Sequence, residues 1–186
     1  MRKIIAQLAI SIDGFIARPD GAVDWLDRPV PPSGYGMSEF MRSVDTLVMG
    51  RDTWDVGVKL GGGVTKGMEN IILSRTLDSD AIPGAIIESG DATELAKKWR
   101  AKKGKDIWLM GGAKVFGAFL DAGQIDELMM HVVPVAIGVG IPLLDPKSRT
   151  TQMKLLGVKE FEDGVVQLRY GQLPGKSKKK AHKAPA

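Results

Sequence analysis

Six short apolar runs punctuate the chain: KIIAQLAIS (3–11), TLVMG (46–50), NIILS (70–74), AIIES (85–89), DIWLMG (106–111) and ELMMHVVPV (127–135). Each is rich in β-branched or large aliphatic residues and too short for a typical helix, so each reads as a buried strand. Helical patterns lie between them. In DATELAKKWRAKKG (91–104), Asp91 takes the N-cap, Glu94 the capping-box position, and Leu95 and Trp99 share one face. Cations fill its last turn and Gly104 marks the stop. A second helix is predicted after Gly111-Gly112, where Val115, Phe116, Phe119 and Leu120 make an apolar face. Strands alternating with helices predict an α/β fold around a mostly parallel sheet. The segment MKLLGVKEFEDGVVQLRY (153–170) adds two strand-like runs about Asp163-Gly164, a pair suited to a tight turn and hence to an antiparallel C-terminal hairpin.

The 186 residues, 44% of them hydrophobic, suffice for one domain with a real core. No apolar run approaches the roughly 18 residues of a membrane span, and MRKIIAQLAIS carries no signal-peptide cleavage pattern, so a soluble cytoplasmic protein is expected. With no cysteine, disulfides, thiolate nucleophiles and Cys-based zinc sites are excluded. Two histidines, His131 and His182, do not make a metal cluster, and no metal is expected. A Ser-His-Asp triad would have to use His131 without any nucleophile-elbow sequence, which argues against hydrolase chemistry.

The net charge of +4 resides in the tail GKSKKKAHKAPA, which holds five lysines and no acid. Without those lysines the chain has 21 basic and 22 acidic residues, a body near neutrality. Residues 174–186 therefore read as a disordered Lys-rich tail, with the folded domain at 1–173. Nucleic acid is not expected as a partner beyond weak, salt-sensitive tail contacts.

Three predicted strands end in groups suited to phosphate. Gly111-Gly112 stands between a strand and a helix, Gly50 repeats the arrangement with Arg51 and Thr53 in the next turn, and NIILS is followed by Arg75 after Ser74. Free N–H groups and the dipole at a helix start favour anions, and glycine lets backbone approach closely. Taken alone, each glycine is a turn and each arginine a surface residue; together they suit a ligand with several phosphates. The pattern is neither a Rossmann fingerprint, since GVGIPL (138–143) has Leu at the third glycine position, nor a Walker loop, since GGGVTKG (61–67) lacks the Gly-Lys-Ser/Thr ending.

The set SIDGFIA (11–17), Trp25, MGRDTW (49–54), ILSRT (72–76), IWLMGGAKVF (107–116) and DELMMHVVP (126–134) resembles the dihydrofolate reductase-like family. It is most similar to stand-alone relatives of the reductase domain of the bacterial riboflavin-biosynthesis deaminase-reductase. The resemblance implies a three-layer α/β/α fold, NADPH as cofactor, and hydride transfer to a small pteridine- or aminopyrimidine-like substrate such as 5-amino-6-(5-phosphoribosylamino)uracil. It places Gly50, Arg51 and Thr53 at the cofactor phosphates, with Arg51, Ser74 and Arg75 toward the adenosine 2′-phosphate. Met110, Gly111, Gly112, Ala113 and Val115 match the pyrophosphate loop and its helix, Ile16 and Ala17 the nicotinamide wall, and Phe116 a Tyr near the same ring. Trp25 matches a substrate-pocket tryptophan. Asp13 and His131 are the candidates for proton delivery; Asp13-Gly14 also reads as a turn, and His131 also reads as a core residue. The resemblance further implies a homodimer. Val30 stands where dihydrofolate reductases carry the pterin-anchoring carboxylate, which argues against folate, and the chain has no cysteines for a deaminase domain. A non-catalytic nucleotide-binding module with a basic tail stays open beside the reductase.

Overall fold

The computed structural model describes residues 1–173; the expectation of a disordered tail at 174–186 lies outside the described residues. The first half of the chain runs β1 (Ile4–Ser11), β2 (Phe15–Ala17), α1 (Met37–Ser43), β3 (Val44–Gly50), α2 (Arg51–Lys59), β4 (Glu69–Leu73) and β5 (Ala85–Glu88). The second half runs α3 (Ala92–Ala101), β6 (Asp106–Gly111), α4 (Ala113–Asp121), β7 (Glu127–Val133), β8 (Ile141–Pro142), β9 (Met153–Glu160) and β10 (Val166–Gln172). One eight-stranded sheet has the order β5-β4-β3-β6-β1-β7-β10-β9. Strands β5 through β7 in that order are parallel, and β10 and β9 are antiparallel.

The mostly apolar runs of the first half follow from burial on both sheet faces. On one face Ile4, Ala6, Leu8, Val48, Ile107 and Leu109 pack under Leu95, Ala96 and Trp99 of α3 and Phe116, Phe119 and Leu120 of α4. The Trp99 and Phe119 rings stack at 5.5 Å. On the other face Ile5, Leu47, Met49 and Ile72 meet Phe40 of α1 and Trp54 of α2, and Phe40 sits edge-on to Trp108 at 5.4 Å. Asp91 caps α3 by accepting from the Thr93 and Glu94 N–H groups, at 2.8 and 3.4 Å.

The hairpin forms at the expected place with a three-residue loop. Phe161 N–H donates to Val165 O at 2.9 Å, Gly164 N–H donates to Phe161 O at 3.0 Å, and Gly164 closes the turn at φ +83. Two elements have no sequence signal: the short helix α1 and the two-stranded pair of β2 and β8, which holds residues 15–17 beside 141–142. No helix among the described residues is long and apolar enough to cross a membrane.

This topology sets the site. Neighbouring strands β4, β3 and β6 all end at the same sheet edge, with β1 and β7 continuing that edge in parallel.

Candidate functional site

Strand β3 runs directly into α2 through Gly50, and β6 runs into α4 through Gly111 and Gly112, which are joined by a cis peptide bond. Gly50 and Gly112 are the two N-cap residues, and neither helix start has a side-chain cap. The first N–H groups of two adjacent helices thus lack intrahelical partners, at the positive ends of both dipoles. Glycine is required here by space. A Cβ on Gly111, at φ +123, would stand 2.8 Å from the Phe116 ring; one on Gly50 would stand 3.0 Å from Val115 Cγ2. A Cβ on Gly112 would project toward Thr53 Oγ1 at 3.1 Å and Ile16 Cδ1 at 3.8 Å. The result is a floor of bare backbone walled by Thr53, Ile16 and Val115.

Cations flank this floor. Exposed Arg51 donates from Nη1 to Thr76 Oγ1 at 3.2 Å and from Nε to Asp55 at 3.3 Å, contacts that leave it largely in solvent. Ser74 Oγ accepts from the Thr76 and Leu77 N–H groups at 3.2 and 3.1 Å, shaping the turn after β4. Arg75 is exposed and makes no ion pair among the described residues. Of the other expected cofactor residues, Phe116 is 1% exposed beneath Gly111, Ala17 is buried, and Met110 packs toward the face opposite α4. Phe116 therefore packs against the glycine loop from below.

A cavity of about 220 Å³ lies between β1, β7, the 26–37 segment and the C-terminal hairpin. Its polar lining is Gln7, Arg28, Tyr35 and His131; the rest is Ala, Leu, Val and Met. His131 is 6% exposed. Its Nδ1 lies 3.3 Å from Gln7 Nε2, and its Nε2 lies 3.0 Å from Gln167 Nε2 and 3.4 Å from Tyr35 O. Burial pushes the imidazole below its usual pKa, against a smaller upward pull from the Tyr35 carbonyl, so the ring is neutral at pH 7. A neutral imidazole presents one donor and one acceptor; with Nδ1 accepting from the Gln7 amide, the ring N–H lies on Nε2, toward the Tyr35 carbonyl.

Asp13 is elsewhere. It is exposed at the end of β1, where Oδ1 accepts from Ser11 Oγ at 2.5 Å and Oδ2 accepts from the Ile137 and Gly138 N–H groups at 3.0 and 2.7 Å. The Ser11 hydroxyl, then the Gly138 N–H, hold its carboxyl below the usual carboxylate range. A carboxylate with three donors is a brace for the 137–138 turn and a poor proton donor. Trp25 is 7% exposed against Val133, Phe161 and Val165, and its neighbour Leu26 lines the cavity. Val30 lines the cavity too, at the position where the resemblance expects a carboxylate.

Gln7, Arg28 and Tyr35 line this cavity and were passed over by pattern reasoning. Gln7 carried a signal, as the single polar side chain inside IIAQLAI. Arg28 and Tyr35 did not, because what places them is Asp163 in the distant hairpin. Arg28 Nη2 donates to Asp163 O at 2.7 Å and lies 3.2 Å from Oδ2, and the Tyr35 hydroxyl donates to Oδ2 at 2.5 Å.

With this geometry in hand, comparison with known proteins is direct. A family model described as the RibD C-terminal domain matches residues 2–167. The uncharacterized protein YwjB of Bacillus subtilis (strain 168) is 34% identical over 172 residues, covering 91% of this chain and 97% of that protein. A Shewanella sp. PV-4 structure assigned to riboflavin biosynthesis superposes with a TM-score of 0.80 at 25% identity, covering 92% of this chain and 99% of that one. Dihydrofolate reductase from Enterococcus faecalis, complexed with NADP(H), superposes at 0.69 with 18% identity, covering 91% and 95%, which shows the shared fold. The expected dihydrofolate reductase-like α/β fold is thus observed, and the chain belongs to the RibD C-terminal domain family, a reductase-like domain.

Proposed function

We propose that this chain is an NADPH-dependent reductase of a small aminopyrimidine- or pteridine-like ring. One observation carries the reading: a glycine-floored cradle at the ends of β3 and β6, and a pocket holding a buried neutral histidine on β1 and β7, open at the same edge of one sheet. The residues fit a dinucleotide, because the floor at Gly112 is one that a Cβ would fill and cations stand beside it. On this reading the N–H groups after Gly50 and Gly112, with Thr53, hold the phosphates, and Arg51, Ser74 and Arg75 stand toward a 2′-phosphate. Ile16 and Val115 provide apolar walls. NADPH, when bound, supplies the hydride.

The chain's own residues handle the proton. Of the titratable groups lining the pocket, Arg28, Tyr35 and His131, the imidazole has the ordinary pKa nearest neutrality, and its protonated form would deliver the proton. Asp13, outside the pocket and ionised, keeps a structural task. A homodimer and a cytoplasmic location belong to the same proposal; β9, at the sheet's end, exposes Leu155, Leu156 and Val158, which supports an apolar contact with a second copy.

The test is single-turnover hydride transfer at saturating NADPH with pterins and aminopyrimidines. General acid catalysis contributes about 10²- to 10⁴-fold, so His131→Gln is expected to lose roughly that factor. Asp13→Asn is expected to stay near the parent rate. Unchanged rates in both variants would remove the proton-delivery assignment.

A further inference from the structure

Resting on the reading of His131 as the group that delivers the proton, we propose that Tyr35 is its positioning residue: a left-handed backbone turn aims the Tyr35 carbonyl at the imidazole while the hairpin turn grips the Tyr35 hydroxyl. Residues 34–36 all have positive φ, with Gly34 at +55, Tyr35 at +55 and Gly36 at +76. Glycine takes such angles freely, whereas a bulky residue does so rarely and only where its surroundings over-determine it. Around Tyr35 they do so from three sides. Gly34 N–H donates to Pro31 O at 2.8 Å and Gly36 N–H to Ser33 O at 3.0 Å, closing two successive turns. The Tyr35 hydroxyl donates to Asp163 Oδ2 at 2.5 Å, and its ring stands edge-on to Phe161 at 5.2 Å and to His131 at 5.9 Å. Its carbonyl lies 3.4 Å from His131 Nε2.

A carbonyl can only accept, and this decides the state of the ring. The side chains at the ring nitrogens are the amides of Gln7 at 3.3 Å and Gln167 at 3.0 Å, each of which a half-turn converts from donor to acceptor. The Tyr35 carbonyl has no such freedom. It keeps a proton on Nε2 and leaves Nδ1, beside Gln7 at the cavity wall, as the nitrogen that gains and gives up the second proton. Among the described residues no carboxylate hydrogen-bonds the ring. β1 brings Gln7, β10 brings Gln167, the 26–37 segment brings Arg28 and Tyr35, and the hairpin turn brings Asp163, bonded to both of these. Lys159 of β9 lies over the Phe161 ring at 4.9 Å, and Arg169, farther along β10, is paired with Glu127 at 2.8 Å. Burial lowers the proton affinity of the imidazole, and the Tyr35 carbonyl, then the Leu8 carbonyl, oppose it. Proton delivery is thereby tied to the seating of the 26–37 segment: with the segment seated the imidazolium has its acceptor, and with it lifted the acceptor is gone.

The experiment is a pH titration of the full chain by proton–nitrogen NMR of the imidazole, with His131→Gln used to assign the resonance. The parent is expected to hold the neutral ring as the Nε2–H tautomer. Tyr35→Phe keeps the aromatic ring and removes the grip on Asp163, so His131 should lose its proton at a pH lower by about half a unit to one unit, the worth of one hydrogen bond. Gly36→Ala leaves every side chain around the imidazole in place: its Cβ would meet nothing within 4 Å, and at φ +76 it strains the backbone alone. It should give a shift of the same sign. A Tyr35 that only packs would leave the titration unmoved, and an Asp163 carboxylate freed to reach the ring would raise it. An unchanged or raised value in Tyr35→Phe, or an unchanged value in a folded Gly36→Ala, would overturn the proposal; where Gly36→Ala does not fold, Tyr35→Phe decides. Hydride transfer to a pterin at saturating NADPH separates this inference from the reading it rests on. With His131 as the acid, the high-pH limb of the rate profile moves down with the titration, because the protonated form is then confined to lower pH. A lowered titration without NADPH oxidation would count against the reductase reading and support the positioning role. A rate profile that follows an unshifted ring would do the reverse.

Discussion

Replacing Gly112 with Ala tests the cradle at the point where its geometry is tightest. The new methyl would stand 3.1 Å from Thr53 Oγ1 and 3.8 Å from Ile16 Cδ1, close enough to require a small adjustment and too far to force the helices apart. Gly112 is also the N-cap of α4, and exchanging a favoured cap residue for Ala costs about 1 kcal/mol. For a domain of this size that corresponds to roughly 2–4 °C in Tm. The effect on ligand should be larger, because the methyl occupies the space through which backbone would reach a phosphate. Losing one hydrogen bond to a charged group costs about 1.5–3 kcal/mol, or roughly 10- to 150-fold in Kd. The assay pairs a thermal melt without ligand with an NADPH titration followed by tryptophan quenching. Gly57→Ala in α2 is the matched control: its Cβ would meet nothing within 4 Å, and a helical Gly→Ala change stabilises by up to about 1 kcal/mol. A Gly112→Ala protein that melts near the parent temperature and binds NADPH with unchanged affinity would refute the cradle reasoning.

Two further outcomes follow from the hydrogen bonds around the site and its supports. Asp163→Ala removes the carboxylate oxygen shared by Arg28 and Tyr35 and leaves Arg28 its bond to the 163 carbonyl, so amide exchange in residues 28–36 should accelerate about tenfold while the central strands keep their protection; unchanged exchange there would mean that the carboxylate does not hold the loop. Asp121 is held down to about 2 by hydrogen bonds from Arg149 and then Lys147. Its folded value lies below its unfolded one, so its stabilising contribution is complete above about pH 4 and is lost as pH falls toward 2. Asp121→Asn should flatten the stability profile in that window, measured by urea denaturation at successive pH values, and an equally steep loss in the variant would contradict the assignment.

Much of the scaffold was legible because burial on both faces writes itself into sequence. Strands β1, β3, β6 and β7 carry mostly apolar runs, Asp91 announces the start of α3, and Gly164 marks the hairpin turn. The strand-end glycines were visible for the same local reason, since strand, glycine and helix face are contiguous. Residues placed by distant partners were not visible. Tyr35 meets Asp163 from 128 positions away, and Arg28 from 135, so neither shows a periodic or spacing signal. Phe116 carried two signals: its helical spacing implied a buried face, family likeness drew it toward the ligand, and it is buried. Asp13 reads equally as acid or turn until its three donors appear.

The central claim is tested most directly by titrating the purified chain with NADPH and with NADH, following quenching of its four tryptophans and the enhanced fluorescence of bound nicotinamide. Arg51 and Arg75 beside the cradle predict that NADPH binds about tenfold or more tighter than NADH, the factor expected of one charge-assisted contact to the 2′-phosphate. Absence of binding by either nucleotide would mean that Gly111 and Gly112 form only a turn, and would contradict the reductase account.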